Sequence, residues 1–204
     1  MSEPGPARIE SEYVRRSLAD LDWSGREIKG VDFESCVLRS CVLSKASLAR
    51  CRFLDCTFES CDLGLVKVPN TRLRGVKFKN CKLIGVNWSP LSAAVSVSFE
   101  KCQLNYSNFA GLDLRLTEFI GCSAREADFS DCDLSEAVFT GTDLLGARFA
   151  GTNLGKSDFR GATNYQIDPT ANKVRKAKFS LPEAVSLLRG LDIVIDDPAR
   201  SEVR

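Results

Sequence analysis

Residues 127–161 read, cut in fives, ADFSD CDLSE AVFTG TDLLG ARFAG TNLGK SDFRG. The third residue of every unit is Phe or Leu, and the first is Ala, Cys, Thr or Ser. Five is neither the period of a helix nor that of a strand. The small first residue and the large third residue, the centre, are two apart, so an extended segment puts both on one face. The remaining residues can then turn a corner. Each unit is therefore expected to form one short side of a coil, with two side chains inside and three outside. The fifth position is often glycine, as at Gly141, Gly146, Gly151 and Gly161, which suits a corner that needs unusual backbone angles.

The pattern runs outward from this stretch. Fourteen centres lead from Trp23 through Ile28, Phe33 and Leu38 to Phe78, Leu83 and Trp88. Thirteen more, one residue out of phase, lead from Phe99 to Phe159. All nine cysteines fall at the small inward position. Cys41, Cys61 and Cys81 recur every twenty residues, and Cys102 and Cys122 continue that column after the phase slip. Phe58, Phe78, Phe99, Phe119, Phe139 and Phe159 do the same. Like residues every fourth unit imply a four-sided, all-β coil whose turns stack at about 4.8 Å. Roughly seven turns make a rod about 33 Å long. A column of free cysteines fits a tight apolar slot. Side chains stacked in parallel at that rise are poorly placed for disulfides.

The repeat breaks between Trp88 and Phe99, where SPLSAAVSVS reads as a loop at 89–98. A loop on a rigid scaffold is a natural contact site, here Ser89, Pro90, Leu91, Ser92, Ala93 and Ala94. Residues 1–17 read as a tail or cap and 18–163 as the coil. The segment 164–195 reads as a capping and dimerisation element, and 196–204 as a tail. In that element SLPEAVSLLRG predicts a helix, with Ser180 and Glu183 as a capping box and Gly190 just past its end. LDIVI predicts a strand. Leu181, Ala184, Val185 and Leu188 share a helix face, and Leu191, Ile193 and Ile195 a strand face. Such a surface can cover the coil end and can also join two chains about a two-fold axis.

Composition excludes several classes. Histidine is absent, which removes Ser-His-Asp, Cys-His and His-metal chemistry. No CxxC pair and no phosphate-cradling glycine loop occurs. The expectation is no catalytic residue, no metal and no cofactor. No stretch reads as a signal peptide or a membrane span, and reduced thiols suit the cytoplasm. The formal net charge is +1, which marks neither a nucleic-acid binder nor a uniformly acidic surface. Residues 99–163 are nevertheless net acidic. Asp113, Glu118, Asp128 and Asp131 are expected to point outward, with Asp133, Glu136, Asp143 and Asp158. Basic residues gather earlier, at Lys67, Arg72, Arg74, Lys77, Lys79 and Lys82.

The units of ADFSD CDLSE AVFTG type resemble the pentapeptide-repeat family over residues 23–163, which implies a right-handed quadrilateral β-helix. Three phrases carry a narrower resemblance: GVNW ending at Trp88 with its loop, NYQIDPTANKVRKAKFSLPEA from Asn164, and LLRGLDIVI from Leu187. They are similar to albicidin-resistance and microcin-immunity proteins, and the ending to the Qnr quinolone-resistance proteins. That resemblance implies a homodimer through the C-terminal segment. It also implies binding to DNA gyrase, with topoisomerase IV as a further target, that relieves a gyrase poison without direct contact to nucleic acid. A non-enzymatic interaction scaffold with an unrelated target is the competing reading, and an enzyme a third.

Overall fold

An inward first residue, an inward centre and a corner at the fifth position close a square every twenty residues. The structure, a computed structural model, describes residues 9–91, 95–191 and 193. Its strands are short: β1 (Glu12–Val14), β2 (Ser17–Ala19), β3 (Glu27–Lys29), β4 (Asp32–Glu34), β5 (Val37–Arg39) and β6 (Ser47–Ala49). They continue as β7 (Arg52–Leu54), β8 (Thr57–Glu59), β9 (Arg72–Arg74), β10 (Val76–Lys79), β11 (Val97–Glu100) and β12 (Glu118–Ile120). All pair in parallel. Face I is the sheet β1-β4-β7-β9, and face II is β2-β5-β8-β10-β11-β12. Face III is a column of single bridges from Asp22 through Asp62 and Gln103 to Thr163. Face IV begins with β3-β6 and continues through Lys67, Asn87, Asn108 and Asp128 to Arg148. Partners stand twenty apart, as in Phe33 with Phe53, and twenty-one apart across the break, as in Phe78 with Phe99. The four-sided coil read from the repeat is the fold, the right-handed quadrilateral β-helix that the resemblance implies.

Every one of the twenty-seven centres is buried. Most first-position residues are too, while Leu21, Arg26, Val97 and Leu112 are half-buried. The aromatic side chains form three ladders, one of them Tyr13, Phe33 and Phe53 on face I at 5.0 and 4.5 Å. On face II, Phe119, Phe139 and Phe159 stack at 4.9 and 4.7 Å between ring centroids. On face IV, Trp88, Phe109, Phe129 and Phe149 stack at 5.9, 5.0 and 5.2 Å. The corners are not reserved for glycine. Leu65, Tyr106, Leu116 and Glu136 hold φ of 56 to 62° there, in the left-handed region. The parallel pairing on both sides over-determines that conformation, which costs a non-glycine residue about 1–2 kcal/mol.

The nine cysteines are buried and free. Their role is more than filling a slot. The Cys61 Sγ donates to the Leu38 carbonyl at 3.4 Å and the Cys132 Sγ to the Phe109 carbonyl at 3.0 Å. Where the position holds a hydroxyl, it donates in the same way: Ser107 to Leu83 O at 2.9 Å, Thr142 to Phe119 O at 2.6 Å. Where the first position carries a donor, as with these cysteines, Ser107 and Thr142, it meets the carbonyl of a centre in the preceding turn. Thr142 also accepts from the Cys122 N–H at 3.2 Å. Replacing Thr142 with valine keeps the shape and leaves two buried groups unpaired, so it is expected to cost about 2 kcal/mol in urea denaturation. Burial pushes the Cys56 and Cys132 thiols up to about 11, while the bond to Cys102 lowers Cys122. Thiols held neutral when folded stabilise the protein fully below their unfolded value near 9, and that contribution is lost as pH rises toward 11. The urea midpoint is expected to hold from pH 7 to 8 and fall between pH 9 and 11.

Two boundaries shift. β1 pairs with β4, so the coil starts at Glu12 rather than at 18. At the other end Asn153 bridges Lys173 and Asp158 bridges Lys178, so the coil continues past 163 although its five-residue spelling is lost. Asn172 takes the inward donor position, with its Nδ2 donating to Phe149 O at 2.8 Å, and Phe179 stacks on Phe159 at 5.3 Å. The expected helix is a 3-10 helix, Glu183–Leu191, that includes Gly190. Leu191 ends this helix rather than beginning a strand. The rest of LDIVI, apart from Ile193, lies outside the described residues.

Candidate partner-binding face

The break is one residue longer than a regular side. Pro90 stands at the corner between faces IV and I, where its carbonyl accepts the Asn70 N–H at 3.0 Å. Ser96 re-enters at the corner between faces I and II, donating to Leu73 O at 3.1 Å and accepting from Val76 N–H at 3.0 Å. The loop expected at 89–98 is thus shorter, because Val97 and Ser98 belong to β11. Ser89 and Pro90 are exposed, Leu91 is half-buried against the core, and Ser92, Ala93 and Ala94 lie outside the described residues. Among the described residues the face I sheet runs to β9, and the next bridge on that face joins Asp113 to Asp133. Around the corner, Leu65, Pro69, Gly85 and Pro90 line an apolar groove of about 650 Å³.

Within one chain the outward carboxylates of residues 99–163 do not gather on one side. Twenty-residue turns distribute the carboxylates over every side: Asp113 and Asp133 on face I, Glu118 and Asp158 on face II, Asp143 on face III, Asp128 on face IV. Asp131 and Glu136 sit at corners, with φ of 57 and 61°. Most of these groups are already engaged. Asp113 pairs with Arg115 at 2.7 Å, Glu136 with Lys156 at 2.9 Å, Asp143 with Arg125 at 2.7 Å and Asp158 with Arg160 at 2.6 Å. The aspartate one before a centre also accepts the N–H two residues on: Asp128 from Ser130 at 2.9 Å, Asp133 from Ser135 at 3.0 Å. This Asx turn sets the corner. The hydrogen bond from Arg160 holds the Asp158 carboxyl below its ordinary range against the smaller cost of desolvation. The acid excess of this half is largely the spelling of its turns.

The basic cluster of the sequence is dispersed in the same way. Lys67 is on face IV, Lys77 and Lys79 on face II, Lys82 on face III. Arg72 and Arg74 stay together on face I, where the structure adds Arg52 and, at the adjoining corner with a φ of 55°, Arg50. Folding the sequence at twenty residues per turn, with the slip at the bulge, is the signal that would have found this group.

At the C-terminal end, Leu187 packs against the core and Ala184 is half-buried. The other predicted contact residues face solvent: Leu181 is 78% exposed, with Val185, Leu188, Leu191 and Ile193 exposed beside it. Ile195 lies outside the described residues. Among the described residues no three His, Cys, Asp or Glu side chains are arranged to hold a metal ion, and no helix is long and apolar enough to cross a membrane.

The architecture defines a parallel β-solenoid with a one-residue slip between Trp88 and Phe99 and a short terminal helix. The sequence matches the pentapeptide repeat region family over residues 31–109 and the pentapeptide repeats (8 copies) family over 98–135 and 127–163. The chain belongs to the pentapeptide-repeat family. Its fold is similar to a trypsin-treated form of QnrB1, a plasmid-mediated fluoroquinolone resistance protein, with a TM-score of 0.62 and 18% identity over 91% of this chain and 100% of that one. A second trypsin-treated QnrB1 variant gives 0.56 and 19% identity over 91% and 90%. No curated protein matches the sequence.

Proposed function

We propose that this protein binds DNA gyrase and shields it from a topoisomerase poison, as a resistance or self-immunity factor, with topoisomerase IV as a further target. The observation that carries the reading is the one-residue break in the repeat beside face I. An otherwise regular, rigid coil carries one extra residue between Trp88 and Phe99 and exposes Ser89 and Pro90 there, and loops held on rigid scaffolds are where recognition concentrates. The fold shared with a fluoroquinolone resistance protein and the phrases GVNW, NYQIDPTANKVRKAKFSLPEA and LLRGLDIVI support the choice of target. The protein acts without catalysis, in the cytoplasm, as a homodimer through Leu181, Val185, Leu188, Leu191 and Ile193. Ala184 and Ile195 complete that contact.

The acidic half contributes less than its net charge suggests, because its carboxylates are shared among four faces and held in turns and ion pairs. Specific contacts by face I take the place of a DNA-like surface. The test is gyrase supercoiling against poisons of the albicidin, microcin and quinolone classes, with and without the protein. Restored supercoiling against at least one class is expected. Failure to bind gyrase and to restore activity against any of them transfers the protein to the reading of a scaffold with another target.

A further inference from the structure

We infer that face I is a protein-docking surface whose arginine block, Arg50, Arg52, Arg72 and Arg74, receives carboxylates from an acidic segment of the partner. The inference rests on the reading that the face beside the break is the contact face, and it does not require that the partner be gyrase.

Outward charges stack from turn to turn along each face. On face II the column Arg39, Glu59, Lys79, Glu100 alternates in sign, with ion pairs of 2.7 Å for Arg39–Glu59 and 3.7 Å for Lys79–Glu100. On face III Lys82 meets Asp62 at 3.2 Å, and on face IV Asp128 neighbours Arg148. Face I breaks this rule. Its register sets Glu12 against Asp32, Arg52 against Arg72, and Asp113 against Asp133. Among the described residues, like-charged register partners occur on face I alone. Like charges directly opposite each other destabilise a sheet. A coil that avoids them on three faces and carries them on the fourth, beside its bulge, places there charges meant for something other than its own stability.

Within that face the arginine block has the unmet demand. Arg52 already bonds Asp32. Arg72 and Arg74 have no ion pair among the described residues. Arg50, Arg52 and Arg72 border one cleft of about 440 Å³ together with Asp32 and Asn70. Planar guanidinium forks suit bidentate carboxylates. Order along the face selects the partner. Acidic groups flank the block on both sides, Glu12, Asp32 and Glu34 toward the N terminus and Asp113 and Asp133 beyond the bulge. Asp32 and Glu34 lie one turn from the block, about 5 Å, and Glu12 and Asp113 about two turns, roughly 10 Å, a distance at which salt screens repulsion only in part. A continuous phosphate backbone would be repelled on either side. A protein segment with a short run of Asp or Glu would not.

The test uses the full chain with Arg72→Glu and Arg74→Glu together. The control exchanges a pair on face III, Asp62→Lys with Lys82→Asp, whose register neighbours Val42 and Gln103 are uncharged. Binding is measured to a poly-glutamate peptide, to a short DNA duplex and to purified gyrase at low and moderate salt. Peptide binding is expected to weaken at least tenfold in the face I variant and to stay unchanged in the control, while the thermal midpoint stays equal to or above that of the native chain. A merely structural role for these arginines would instead lower the midpoint. Peptide binding that is absent, or equal in the native chain and the face I variant, overturns the proposal. Tighter binding of the duplex, lost in the same variant, overturns it in favour of nucleic acid. Native protein that binds the peptide but not gyrase leaves the arginine surface standing and removes gyrase as the target.

Discussion

Replacing Phe129 with alanine is expected to cost about 3–5 kcal/mol, as for other fully buried aromatic side chains. Its ring stacks between Phe109 at 5.0 Å and Phe149 at 5.2 Å on face IV. It also meets the face II ladder edge-on, at 5.6 Å from Phe119 and 5.8 Å from Phe139. Offset stacks and edge contacts add about 0.5–1.5 kcal/mol beyond burial, and all four are lost together. Parallel neighbours above and below cannot close the gap without breaking the register of their turns, so the cavity persists. In a solenoid each turn contacts only its neighbours. The loss is therefore expected to split the urea transition, with the C-terminal turns melting first. A single transition shifted by less than 1 kcal/mol would show that the ladder is not what holds the rod together.

The second large effect concerns assembly. Val185→Asp with Leu188→Asp is expected to turn the proposed dimer into a monomer. Both side chains are exposed in the single chain, 42% and 38%, so charging them leaves the coil intact. Truncating central interface anchors costs about 2 kcal/mol each, and two such losses weaken association roughly a thousandfold. Light scattering at micromolar concentration reads the outcome directly. Leu187→Asp behaves differently, because that side chain packs on the core at the coil end and its loss uncovers the last turn. A native chain that already scatters as a monomer at that concentration removes the dimer.

The repeat was legible because a five-residue unit is a local rule. Phe129 and Ala127 are two apart, so a short extended segment sends both inward whatever lies elsewhere, and the twenty-residue recurrence of Cys41, Cys61 and Cys81 counts the sides. The helical segment after Ser180 and its apolar residues were legible for the same reason, although the 3-10 form was not. The last turn escaped because Asn172 and Phe179 occupy inward positions without spelling a unit; only the turn beneath, through Phe149 and Phe159, identifies their places.

The face a charge belongs to was beyond the linear sequence in practice. Asp128, Asp133 and Asp143 are near neighbours along the chain, yet they stand on faces IV, I and III. Arg52 and Arg72 are twenty residues apart and directly opposed. The chain by itself determined that it would coil, what fills the interior, and that the repeat breaks near Pro90. Tertiary structure decided which outward side chains share a surface, because proximity outside the coil is set by stacking between turns, where one slipped residue at the bulge re-registers everything that follows.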